Sequence, residues 1–156
     1  MESGLLPNSS ITASSVYGTL NRHGAWLARL NNVPNGKFWG SWSANLKEAG
    51  QWLQIDLGEE RLLTNFATQG RPSRPQWVTS YKISFSSDSV KWEEYKENGV
   101  VKVCDAFFSR GISQATRHVT WPVSYDLSVT AQGYLFVRFI DAMDLSFIVS
   151  PNYYLE

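Results

Sequence analysis

The chain has 156 residues, 43% of them hydrophobic, which is enough for one domain with a substantial core and excludes a disordered chain. Its formal net charge of +0 excludes the bulk electrostatic footprint of a nucleic-acid-binding protein. A single cysteine excludes an internal disulfide framework, and no apolar run approaches the ~20 residues that a membrane-crossing helix requires.

In chain order, a short helical turn is expected at 25–30, and strand signals dominate from residue 52 onward. At 52–57, Leu53, Ile55 and Leu57 alternate with Gln54 and Asp56, the period of a half-buried strand that ends at Gly58. A more apolar strand is expected at 62–69 and a third at 78–86, with Tyr81, Ile83 and Phe85 on one face and Lys82, Ser84 and Ser86 on the other. The polar run at 86–89 reads as a hairpin turn into a strand at 90–95. The segment 104–121 has no clean periodicity, 134–140 alternates as a strand would, and 151–156 carries no closing turn or cap. Short strands separated by turn signals predict an antiparallel sandwich or barrel.

Three connections are rich in turn formers and are expected to be exposed loops: 17–24, 31–36 and 69–76. Two acid-free stretches overlap them. Between Glu2 and Glu48 lie Arg22, Arg29, Lys37 and Lys47, and between Glu60 and Asp88 lie Arg61, Arg71, Arg74 and Lys82. Each basic residue taken singly is compatible with plain solvation. Catalytic signals are lacking. Glu59-Glu60 and Glu93-Glu94 are adjacent pairs, and neighbours on a strand point to opposite faces, unlike a glycosidase pair. His23 and His118 lack metal-ligand spacing, and Cys104 with His118 sits in no recognisable nucleophile motif. No enzyme activity, metal or cofactor is expected. Asn8-Ser9-Ser10 is an N-glycosylation sequon, usable only in a secreted chain.

Five motifs in order carry a family resemblance: MESGLLPNSSITASS at 1–15, AWLARLN at 25–31, QWLQIDLG at 51–58, ATQGR at 67–71 and WVTSYKISFSSDSVKW at 77–92. Together they resemble the discoidin, or F5/8 type C, family. The resemblance implies an all-β fold, an antiparallel jelly-roll-like sandwich of the galactose-binding-domain type, and an extracellular or cell-surface location. It covers 1–103. Family members have a cysteine shortly before the position of Met1 and a closing strand whose cysteine pairs with it; neither is recognisable here, although YLFVRF at 134–139 weakly resembles the aromatic–Arg strand. The expectation is therefore a recognisable core at 1–103, with 104–156 either an atypical continuation of the domain or a foreign tail on a truncated product. No leader for secretion precedes the fold as written.

In membrane-binding members, three loops at one end of the sandwich form apolar spikes above a basic floor. By motif they map to 20–26, 33–42 and 71–77. In the second, Gly36 and Gly40 bracket Lys37-Phe38-Trp39, which suits a hairpin pushing both aromatics outward. Phe38 and Trp39 are the expected contact residues, flanked by Arg22, Lys37, Arg71 and Arg74. Trp26 and Trp42 are expected at loop bases in the core, and Trp52, Trp77 and Trp92 as structural strand residues. The implied partner is an anionic phospholipid surface. The alternatives are a cell-surface glycan or matrix protein at the same loops, or a fragment with no independent activity.

Overall fold

In the computed structural model, the residues described are 6–59, 61–71, 74, 76–105, 120–121, 129–131, 134–141 and 146–153. The strands are β1 (Ile11–Ala13), β2 (Trp42–Ser43), β3 (Trp52–Asp56), β4 (Arg61–Gln69), β5 (Ser80–Ser86), β6 (Glu93–Glu94) and β7 (Lys96–Glu97). They continue with β8 (Val100–Val101), β9 (Val103–Asp105), β10 (Thr120–Trp121), β11 (Val129–Ala131), β12 (Tyr134–Asp141) and β13 (Ser146–Tyr153). One sheet runs β1-β3-β12-β5-β6, with β9 also on β5; the other runs β10-β4-β13-β2, with β11 also on β4; β7 and β8 form a separate hairpin. Every pairing is antiparallel, so the fold is an all-β sandwich of the jelly-roll type.

The alternation at 52–57 does what its period implies. Leu53, Ile55 and Leu57 are buried while Trp52, Gln54 and Asp56 are only half-buried. Tyr81 and Ile83 of β5 and Cys104 of β9 meet Trp42 of β2 and Phe66 of β4 in one core. Phe66 and Tyr81 bridge the two sheets, with ring centroids 5.7 Å apart. Burial of such side chains is the main force holding the layers together. A polar clasp ties two of the sequence motifs: Gln51 Oε1 accepts the hydroxyls of Ser14 (2.8 Å) and Ser15 (2.7 Å), and Ser14 Oγ accepts the N–H of Trp52 (3.1 Å).

Several expectations change in the fold. The helical turn is a single 3-10 turn at Ala25–Leu27. The helical geometry is lost at Ala28 (φ −74°, ψ 61°), and Asn31 then takes a positive φ of +59°. Ser84 and Ser86, expected on the face opposite Tyr81, Ile83 and Phe85, are buried too, and the Ser86 Oγ donates to Asp88 Oδ1. The turn there is also wider than a hairpin of four: Asp88 Oδ1 takes the N–H of both Val90 and Lys91 at 2.8 Å. Pairing with β5 therefore waits until Glu93–Glu94, and Val90 is left exposed.

The expected strand at 134–140 is β12, which lies between β3 and β5 and pairs with both. No closing strand is recognisable beyond 140 in the sequence, yet 146–153 is a strand. It forms β13, paired to β4 for most of its length. Among the described residues, β2 reaches only Ser146 and Phe147, so Pro151 lies beyond it on an open edge, where a residue without an N–H is tolerated. Strands from both sides of residue 103 thus share each sheet. His118 and most of 104–121 lie outside the described residues.

Candidate loop surface at one end of the sandwich

Gln69 at the end of β4, Ser80 at the start of β5 and Trp42 at the start of β2 lie at one end of the sandwich. Gln69 and Ser80 flank the third loop read from the sequence and Trp42 closes the second, while the first precedes the turn at Ala25–Leu27. The second loop is built on Asn35. Its side-chain oxygen accepts the N–H of Lys37 (3.2 Å) and Phe38 (2.9 Å), and its own N–H donates to the Phe38 carbonyl (3.1 Å). Gly40 closes the loop at φ +74°, where a Cβ would stand 2.7 Å from the Val33 carbonyl carbon and 2.8 Å from the Pro34 nitrogen. Only glycine satisfies both constraints.

The first loop is fastened to the second. Trp39 N–H donates to the Arg22 carbonyl (3.1 Å), and Ser43 N–H to the His23 carbonyl (3.3 Å). In the third, Arg71 N–H donates to the Gln76 carbonyl (2.8 Å), Arg71 Nη1 to Gln76 Oε1 (2.7 Å), and Gln76 N–H to the Arg74 carbonyl (2.8 Å). The Arg71 guanidinium lies over the Trp39 ring, 5.2 Å from its centroid, which joins the third loop to the second. The base of the loops is tied to β4 by Asn31 N–H donating to Gln69 Oε1 (3.0 Å). The structure therefore brings Arg22, Lys37, Phe38, Trp39, Arg71 and Arg74 into one surface.

The two aromatics differ in role. Trp39 is 39% exposed, whereas Phe38 is half-buried, its ring edge-on to Trp26 at 4.6 Å and 84° with Lys37 Nζ 5.2 Å from its centroid. The expectation of two outward aromatics thus holds for one of them. Trp26 folds back over Gly24, where a Cβ would be 2.5 Å from its Nε1, and stands half-buried as a buttress for Phe38. Trp42 is fully buried, with Nε1 donating to the Ser15 carbonyl (2.9 Å). Trp52, Trp77 and Trp92 are half-buried.

Sequence reasoning missed three side chains here. Leu20 is 71% exposed, Val33 58% and Tyr17 56%, all in the first two loops. It weighed His23 only as a metal ligand, and the residue is buried beneath them. Its Nδ1 is 3.1 Å from Ser43 Oγ, its ring is stacked with Trp39 (6.2 Å, 15°), and Tyr17 meets it edge-on at 5.8 Å. Burial, with the positive charge of Arg71 beside it, pulls the His23 pKa below its ordinary 6.5, against a hydrogen bond with the Ser41 backbone. Arg71 is itself pulled down by burial and by Arg74. The floor of the surface is thus two neighbouring guanidiniums and a neutral imidazole. Among the described residues, no group of His, Cys, Asp and Glu could hold a metal ion, and no helix is long and apolar enough to cross a membrane.

Comparison with known proteins agrees with this architecture. The family model for the F5/8 type C domain matches residues 10–134. Lactadherin from Rattus norvegicus is 39% identical over 106 residues, covering 66% of this chain and 25% of lactadherin. Lactadherin from Sus scrofa is 40% identical over 108 residues. The chain spans about a quarter of the length of these relatives. Among solved structures, discoidin II from Dictyostelium discoideum superposes with a TM-score of 0.73 at 21% identity, covering 89% of this chain and 52% of that one. The family 32 carbohydrate-binding module of C. perfringens NanJ, in complex with galactose, does so with a TM-score of 0.52 at 21% identity, over 92% and 91%. With its motifs, its two antiparallel sheets and a family match over residues 10–134, this chain belongs to the F5/8 type C, or discoidin, domain family of binding modules.

Proposed function

We propose that this domain binds an anionic phospholipid surface through the three-loop end of the sandwich, in an extracellular setting. The observation that carries the reading is the combination of exposed apolar side chains with basic ones on a single loop platform. Leu20, Val33, Tyr17 and Trp39 supply the apolar part, and Arg22, Lys37, Arg71 and Arg74 the charge. Apolar groups of this kind enter the headgroup–acyl boundary, and each basic residue near an anionic leaflet contributes about 1 kcal/mol. Phe38 and Trp26 act from behind, holding the second loop upright.

A glycan is the competing ligand, favoured by the fold likeness to the galactose-bound module. Against it stands Arg71, already over the Trp39 ring, which a sugar stacking on that face would have to displace. Co-sedimentation with vesicles of phosphatidylcholine alone or with phosphatidylserine separates the two. The expected result is binding that requires phosphatidylserine and drops with Leu20→Ala plus Val33→Ala, with Trp39→Ala, and with Lys37→Glu. Binding that ignores lipid charge and survives all three changes sinks the membrane reading, and a glycan array then tests the other.

A further inference from the structure

The second loop carries an Asn-Gly pair whose surroundings favour covalent self-modification. Asn35 Oδ1 already accepts two backbone N–H groups, from Lys37 at 3.2 Å and Phe38 at 2.9 Å. Those bonds fix the side-chain carbonyl of Asn35 in one orientation within the loop. The peptide that follows belongs to Gly36, which is exposed at φ +80° with nothing within 4 Å of where a Cβ would stand. The Gly36 N–H makes no hydrogen bond to the described residues. A nucleophilic nitrogen without a shielding side chain thus follows a carbonyl whose oxygen is held by two donors.

We propose that Asn35 converts spontaneously to aspartate and isoaspartate, and that this switches off the loop surface with age. The Gly36 nitrogen, after losing its proton to hydroxide, bonds to Asn35 Cγ. Negative charge then develops on Oδ1, where the N–H groups of Lys37 and Phe38 stabilise it as an oxyanion hole does. The Cγ–Nδ2 bond breaks, and ammonia leaves with a proton taken from water. One water then opens the resulting succinimide at either carbonyl. The net change is one water in and one ammonia out, with no change of oxidation state, and a neutral amide becomes a carboxylate beside Lys37. The chemistry stands independently, while its effect on binding rests on the membrane reading above.

The chain holds its own comparator. Asn98-Gly99, between β7 and β8, is also exposed, and its glycine is equally open at φ +80°. The Asn98 side chain, however, accepts no hydrogen bond from the described residues. Ageing the full chain in mildly alkaline buffer, followed by peptide mass mapping and isoaspartyl methyltransferase labelling, compares the two. Asn35 is expected to react about tenfold faster than Asn98, the effect of two donors on the developing oxyanion. Reaction at Asn98 as fast as at Asn35, or no isoaspartate at Asn35, overturns the proposal.

Vesicles containing phosphatidylserine supply the second readout. The aged chain and Asn35→Asp are expected to bind about fivefold more weakly than fresh protein, the effect of offsetting one basic charge. Asn35→Gln, which cyclises slowly, is expected to lose no affinity relative to its own fresh state. If fresh protein ignores the vesicles, the membrane reading fails while mass mapping still decides the modification. If fresh and fully converted protein bind alike, the switch is overturned and the membrane reading stands.

Discussion

Among the described residues, the largest fully buried side chain is Trp42. It is fully enclosed, and its indole N–H is bonded to the Ser15 carbonyl. Trp42→Ala removes the whole ring from the core and is expected to destabilise the fold by about 3–5 kcal/mol, read as a lower denaturant midpoint. His23 contributes to the response to acid. Its folded pKa lies below 6.5, so the unfolded chain takes up the proton first as pH falls. Its contribution is complete above pH 6.5 and declines as pH drops from there towards the folded value. Thermal melts across that window should show the decline, and His23→Gln should flatten it. An undiminished slope in the variant would assign the effect elsewhere. The core place of Trp42 was legible in the sequence, but the behaviour of His23 was not. His23 there is a lone histidine in a loop, and only the packing of Tyr17, Trp39 and Arg71 around it makes it buried and neutral.

At the scale of elements, the second loop shows how backbone constraint and exposure work together. Gly40→Ala combines positive φ with a clash against the Val33–Pro34 backbone, whereas Gly36→Ala meets the same φ in open space. The first should lose more than the about 1–2 kcal/mol that a left-handed conformation costs a residue with a Cβ, and the second only that much. Chemical denaturation of the two variants checks the order, and equal losses would mean that the loop relaxes around Gly40. The existence of this loop was legible from its glycines and asparagines. Which of its side chains faces outward was not. Phe38 and Trp39 are adjacent aromatics with equal claims in sequence, and it is the position of Trp26 that captures Phe38.

For the whole molecule, stability rests on two sheets that share one core. The chain has one cysteine, and Cys104 is buried in that core. A reducing agent should therefore leave the melting temperature unchanged; a large drop would reveal a disulfide between chains. Binding to anionic vesicles should weaken steeply with added salt, because the charge from Arg22, Lys37 and Arg74 is carried at the exposed surface, where ions screen it within about a Debye length of ~8–10 Å. Salt-insensitive binding would place the affinity in the apolar side chains alone.

By itself the sequence determined the fold class, the alternation of β3 and the motifs that name the family, because strand period and turn chemistry are local. It also located the three loops and their basic residues. Tertiary structure decided the rest. β13 forms despite Pro151 because, at that position, β4 is its paired neighbour among the described residues, and a sheet edge exists only once strands are assembled. Leu20 and Val33 are exposed because their loops project beyond the sheets, and composition cannot separate such residues from core. Loops some 50 residues apart in the chain become one surface when Arg71 settles over Trp39 and Arg22 accepts its N–H, contacts with no signature in any single segment.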